Sequence, residues 1–210
     1  MKVEGNIAHA QIVETAIRRF SHFGIAKTTL TEVAEDLAIS KQVLAYYFPD
    51  KQSLVDAVVE KLTTEYFNVL EEAVCLASTV EAALLQLTNV KGIFFKKYFM
   101  VTNQAEHVEI IRHPSSSTWR KTLAEKELVL LTGLFDKGVR QGELKPLDPH
   151  KTGSLLLETL YAFSRSVQER GGLPDPAAFT NLLDRQQEVI KLFYQGLKSD
   201  KLNKETDTKK

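Results

Sequence analysis

The sequence predicts an all-α protein, with a short N-terminal three-helix domain followed by a larger helical bundle. Three observations carry this. Apolar residues recur at spacings of three and four along most of the 210 residues, and no stretch alternates with β-branched residues at the period of a strand. Cap and stop residues punctuate those periodic segments where helices begin and end. The composition, 43% hydrophobic and 26% charged, is that of an ordinary globular chain, long enough to bury a core.

The first helix is expected from about Asn6 to Phe23, on the stripe Ile12, Val13, Ala16, Ile17, Phe20 and Phe23, with Gly24 as its stop. Thr29-Leu30-Thr31-Glu32 is a capping box and starts a second, short helix ending near Leu37. Ser40 caps a third, Lys41 to Phe48, closed by Pro49. Asp50 caps a long fourth helix, about Lys51 to Leu76. Asp148-Pro149 and Asp175-Pro176 each place a capping carboxylate before a proline suited to a first helical turn, and Gly142 and Gly171-Gly172 end the helices before them. Pro114 and Ser115 to Ser117 read as a loop. The expected organisation is residues 1–49, residues 50–198, and a polar, lysine-rich tail, 199–210, too poor in apolar residues to order itself.

The chain carries no net charge, and residues 1–51 balance six Lys and Arg against six Asp and Glu. Any polyanion partner must therefore meet a local basic surface. The first ten residues lack the apolar core of a signal peptide, and no apolar run reaches the roughly 18 residues that span a bilayer, so a cytoplasmic protein is expected. The one cysteine, Cys75, lies among Ala73, Val74, Leu76 and Ala77 and is expected to be a buried, inert thiol. His107, Glu109 and His113 do not have the i, i+4 spacing of a helical metal pair, and no metal or cofactor is expected. No nucleophile elbow, phosphate loop or zinc-hydrolase motif points to an enzyme.

Residues 29–48 carry the functional signal. Two short helices are joined by Ala38-Ile39-Ser40. With the small Ala34 counted as position five, Val33, Leu37, Ile39, Leu44 and Tyr47 fall at positions four, eight, ten, fifteen and eighteen, where a helix-turn-helix needs apolar wedges. The turn residue Ala38 stands where positive φ favours glycine. In such a unit the second helix enters the major groove with its N-terminal residues facing base edges. Those are Ser40, Lys41 and Gln42. Gln can pair with adenine through two hydrogen bonds, and Lys reaches guanine or phosphate. Tyr46, Thr28, Thr29 and Lys51 are candidates for the phosphate backbone.

These residues resemble the TetR family of bacterial transcriptional regulators. The resemblance runs from Ile12 to Leu54, through Ile12-Val13, Ala16-Ile17, Phe20, Gly24, Thr28-Thr29, Val33-Ala34, Ile39-Ser40-Lys41, Leu44, Tyr47-Phe48-Pro49 and Lys51. Gly138 to Pro146 is also similar to the family's connection between its seventh and eighth helices. The chain departs from the pattern at Ala45, where the family often has a phosphate-contacting Tyr. The resemblance implies about nine helices, three for DNA and six for dimerisation and ligand capture. It implies a repressor that binds a near-palindromic operator as a homodimer and is released by a small effector. The alternative is a TetR-like scaffold with protein partners and little specific DNA binding.

The larger domain supplies matching candidates. Its last two helices are apolar on more than one face, as expected where one face meets the core and another a second copy. Leu156, Leu160, Phe163, Ile190, Phe193 and Leu197 are the candidate interface. Tyr66, Phe67, Phe95, Tyr98, Phe99 and Trp119 are candidates to line an effector site, which suggests an apolar or aromatic ligand.

Overall fold

A computed structural model describes residues 2–99, 101, 116–168 and 176–199. Among them stand eight helices: α1 (Lys2–Phe23), α2 (Leu30–Asp36), α3 (Lys41–Tyr47), α4 (Lys51–Leu76), α5 (Val80–Lys97), α6 (Ser116–Arg140), α7 (Pro149–Gln168) and α8 (Pro176–Leu197). The fold is all-α, and the one β-type pairing among the described residues is an isolated bridge, Leu144 with Lys198. The first helix begins at Lys2, a turn before the expected Asn6, and Ser116 and Ser117 belong to α6, not to a loop. The stretch holding His107, Glu109 and His113 lies outside the described residues, as do Asp175 and the tail beyond Ser199.

The chain divides into two compact units. The first comprises Met1–Glu65 with Phe95–Arg120, the second Tyr66–Phe94 with Lys121–Lys210. In the first, α1 buries Ile12, Val13, Ala16, Ile17 and Phe20, all at most 7% exposed. Each large side chain so buried contributes roughly 1.5–3 kcal/mol. Gly24, at φ +84°, ends α1 with its amide on the Phe20 carbonyl at 3.0 Å. The capping box at α2 is formed in both directions: the Glu32 amide donates to Thr29 Oγ1 at 3.3 Å, and the Thr29 amide donates to Glu32 Oε2 at 2.7 Å. Ser40 Oγ accepts the Val43 amide at 3.2 Å, and Asp50 Oδ1 accepts the Ser53 amide at 2.7 Å, fixing the starts of α3 and α4.

The second unit packs Leu70, Leu84, Leu131, Phe135, Leu156 and Ile190 into one core, each fully buried. Gly142 (φ +73°) closes α6. Asp148 Oδ1 accepts the Lys151 amide at 3.0 Å and starts α7. The Lys145 amide donates to the Leu197 carbonyl at 2.9 Å, and the Ser199 amide to the Glu143 carbonyl at 2.9 Å, so the end of α8 is pinned to the α6–α7 connection.

One expectation is overturned here. Cys75 is exposed, not buried. Near the end of α4 the inward position is taken by Val74, at 7% exposure, which turns Cys75 and Leu76 outward. Among the described residues no helix is long and apolar enough to cross a membrane.

Candidate nucleic-acid interface

The reading head is built by wedging. Val33 and Ala34 of α2, Leu44 of α3 and the following Phe48 are at most 3% exposed, and the small Ala34 lets the helices approach. The turn between them is a Schellman motif. The Ile39 amide donates to the Ala34 carbonyl and the Ala38 amide to the Glu35 carbonyl, both at 3.0 Å. Ala38 sits at φ +53°, the left-handed conformation the motif demands.

With its inner face spent on the wedge, α3 presents Lys41, Gln42, Ala45 and Tyr46 to solvent, Tyr46 at 84% exposure. Ser40 at its N-cap is exposed too. Ser40, Lys41, Gln42 and Ala45 line an open depression of ≈ 370 Å³, where Ala45 adds little bulk. Thr29 is also exposed, its hydroxyl shared with the capping Glu32.

Two of the sequence candidates are placed differently from the rest. Thr28 is 1% exposed and its hydroxyl donates to the Gly24 carbonyl at 2.9 Å, so the side chain seals the α1–α2 connection and offers nothing to a phosphate. Lys51 is half-buried and its ammonium donates to the Ala26 carbonyl at 3.2 Å. Burial holds its pKa below the ordinary lysine value.

Sequence reasoning missed the residue that organises this surface electrostatically. Arg19 of α1 grips Asp36 with two hydrogen bonds, Nε to Oδ2 at 2.5 Å and an η nitrogen to Oδ1 at 2.9 Å, and lies 3.5 Å from Glu32. The bond from Arg19 holds the Asp36 carboxyl below its usual range, and the bond from the Thr29 amide does the same for Glu32. Two of the three acids of α2, Glu32 and Asp36, thereby share one arginine, and Lys41 is the only charged residue of α3.

Residues 12–58 match the model of the bacterial regulatory proteins of the tetR family. The N-terminal domain is that of the TetR family, and the chain is a DNA-binding transcriptional regulator. A relative, the HTH-type transcriptional regulator RutR of Escherichia coli O157:H7, is 27% identical over 188 residues, covering 85% of this chain and 86% of RutR. The fold is shared with a transcriptional regulator from Cytophaga hutchinsonii, at TM-score 0.81 and 22% identity, covering 90% of this chain and 97% of that one. It is shared also with SmeT, the repressor of the Stenotrophomonas maltophilia multidrug efflux pump SmeDEF, at TM-score 0.65 and 15% identity, covering 91% of each.

The six aromatic effector candidates of this TetR-family regulator fall in both units. In the first, Phe95 and Tyr98 are buried, Phe99 lies edge-on to Phe95 at 5.2 Å, and the Tyr98 hydroxyl donates to Glu65 Oε2 at 3.2 Å. In the second, the Tyr66 ring stands edge-on to Phe94 at 5.6 Å, and the Lys126 ammonium lies 5.3 Å from the Phe67 ring centre. The Trp119 side chain lies outside the described residues. The Tyr66 hydroxyl donates to Glu127 Oε1 at 3.0 Å, and Tyr161 donates to the other oxygen of the same carboxylate. Glu127 and Tyr161 were not among the sequence candidates: a glutamate on a charged helix carries no mark of burial.

The interface candidates need revision. Leu156 and Ile190 are fully buried and Leu160 is 7% exposed, all inside the protomer's own second-unit core, so they have no surface left for a partner. Phe163, Phe193 and Leu197 are half-buried. The large apolar side chains that α7 and α8 turn to solvent are Leu155, at 55% exposure, and Leu192, at 74%.

Proposed function

We propose that this TetR-family regulator is a repressor that binds a near-palindromic operator as a homodimer and is released by a small effector with an apolar or aromatic body. The observation that carries the reading is the braced α3, whose outward face is Lys41, Gln42, Ala45 and Tyr46. In this reading Ser40, Lys41 and Gln42 meet base edges, while Thr29, Tyr46 and Lys51 position the head on phosphates. Lys51 serves from the Ala26 carbonyl, close to the surface, and Thr28 drops out.

Two heads must reach successive major grooves about 34 Å apart, which a dimer achieves. Leu155 and Leu192, with the half-buried Phe163, Phe193 and Leu197, are the apolar surface α7 and α8 offer a second copy. Repression fits SmeT, a repressor that shares this fold. An effector releases DNA by binding a conformation of the protein that the operator binds poorly; equal affinity for both states would shift nothing.

The test is fluorescence anisotropy with a duplex from the gene's own upstream region. Sequence-specific binding that weakens steeply with salt is expected. Binding equal to that of a scrambled duplex, in a chain that sediments as a monomer, would replace the repressor with a scaffold for protein partners.

A further inference from the structure

The interior of the second unit is apolar apart from three described residues, Thr88, Glu127 and Gln186. Two are absorbed by the fold. The Thr88 hydroxyl donates to the Leu85 carbonyl at 2.9 Å, and the Gln186 amide donates to the Leu160 carbonyl at 2.7 Å. Glu127 is different. Its carboxylate is buried, at 6% exposure, and among the described residues no cation stands within ion-pair distance of it. Its neighbour Lys126 is turned to the Phe67 ring instead.

Two phenols stand in for the missing counter-charge. Tyr66 of α4 donates to one carboxylate oxygen and Tyr161 of α7 to the other. Burial first, and then the neighbouring Glu127, push both phenol pKa values upward, so both phenols keep their protons and act as donors to Glu127. Each phenol supplies one hydrogen, while a carboxylate offers about four lone-pair sites. Burying a carboxyl group is costly unless its oxygens are satisfied, and among the described residues this one has two phenol donors and no cation. The surroundings are aromatic: the Tyr66 ring stands edge-on to Phe94 of α5, and Tyr161 brings a third ring to the same carboxylate through its hydroxyl. Three helices, α4, α6 and α7, therefore meet at one buried carboxylate, and α5 packs against the cluster through Phe94 on Tyr66.

We propose that Glu127, held between the Tyr66 and Tyr161 hydroxyls, is the recognition point for a positively charged effector, an ammonium on an apolar or aromatic body. The inference rests on reading the chain as a ligand-responsive regulator and narrows its effector to a monocation. An ammonium entering the cluster brings the counter-charge and its own N–H donors, and displaces one or both phenols from the carboxylate. The four helices that hold the cluster then repack around the ligand body.

Titration calorimetry on the full chain tests this with three probes sharing a phenyl body: 4-phenylbutylammonium, 4-phenylbutanol and 5-phenylpentanoate. The ammonium is expected to bind about tenfold to a hundredfold more tightly than the alcohol, as a charge-assisted bond to a buried carboxylate implies. The carboxylate is expected not to bind. Glu127→Gln should abolish the preference for ammonium over alcohol, and Tyr161→Phe, which leaves the charge in place, should keep it. Should Glu127→Gln fail to fold, the wild-type series and Tyr161→Phe still decide. Equal binding of ammonium and alcohol, preference for the carboxylate, no binding by any probe, or an ammonium preference that survives Glu127→Gln would each overturn the proposal. Operator binding by the same preparation is measured separately. Operator release by the alcohol alone would refute the cation site and leave the repressor standing, whereas Glu127-dependent ammonium binding by a chain that ignores DNA would do the reverse.

Discussion

Replacing Ala38 with glycine should stabilise the reading head. Ala38 holds φ +53° at the centre of the α2–α3 turn, with the Ile39 and Ala38 amides satisfied by α2 carbonyls. An L-residue in this region costs about 1–2 kcal/mol in clash between Cβ and backbone, and glycine removes the clash. Glycine also gives the unfolded chain more freedom, which takes back about 0.4–1 kcal/mol. The net gain is about 0.5–1 kcal/mol, or about 1–4 °C in Tm for a chain of this size. Thermal unfolding followed by circular dichroism reads the shift, and amide exchange of α2 and α3 localises it. Ala38→Val supplies the opposite sign, because a β-branched side chain is a worse occupant of positive φ. If Ala38→Gly lowered Tm while Ala38→Val left it alone, the turn would not have the left-handed geometry on which the angle of α3 depends.

Three further outcomes are expected. In binding assays on the operator duplex, Gln42→Ala should lose about 1–3 kcal/mol of discrimination at one base position, whereas Lys51→Ala should weaken all sequences alike and reduce the salt slope by about one. Gly138→Ala should destabilise the second unit by about 0.5–2 kcal/mol in denaturant titration, because the added Cβ would meet Val80 Cγ2 at 2.7 Å and Leu144 Cδ1 at 2.9 Å, a cost that the better helix propensity of alanine offsets by about 1 kcal/mol. Asp36 has a depressed folded pKa, so its bond to Arg19 contributes stability that is present above the unfolded value of 3.8 and lost as pH falls through the folded one. Arg19→Met should flatten that acid limb in a pH series of melting temperatures.

What could be read from sequence was what is decided within four residues. The Thr29–Glu32 box, the Ser40, Asp50 and Asp148 caps and the stops at Gly24 and Gly142 all stand where local chemistry put them. The span read for the fourth helix, Lys51 to Leu76, is the one observed. Burial was less legible, because it depends on partners far along the chain. Leu155, Leu156 and Leu157 are consecutive, and period alone does not say that Leu155 faces out while the next two face the core. Arg19 and Asp36 are 17 residues apart, and Glu127 lies 61 residues from Tyr66 and 34 from Tyr161. Those pairings exist only once helix angles are set, so a surface arginine and a helical glutamate gave no signal of their roles.

The same distinction resolves how a chain without net charge reads a polyanion. Counted along the sequence, residues 1–51 hold as many acids as bases, and the sum predicts no attraction. Folded, the acids are not a uniform field. Glu14 meets the Lys61 ammonium at 3.2 Å, and Glu32 and Asp36 meet Arg19. Fields of such paired charges fall off faster with distance than that of a lone charge, so on the proposed reading the nearest groups of α3, Lys41 with the hydrogen-bonding groups of Ser40, Gln42 and Tyr46, weigh most in what a duplex meets. Arg19 thus acts twice: it ties α2 to α1, which sets where α3 points, and it offsets part of the repulsion those acids would otherwise direct at phosphate. A head arranged this way gains little from non-specific attraction. On the proposed reading it draws a larger share of its affinity from contacts that depend on sequence, and the salt dependence of operator against scrambled duplex reads that share.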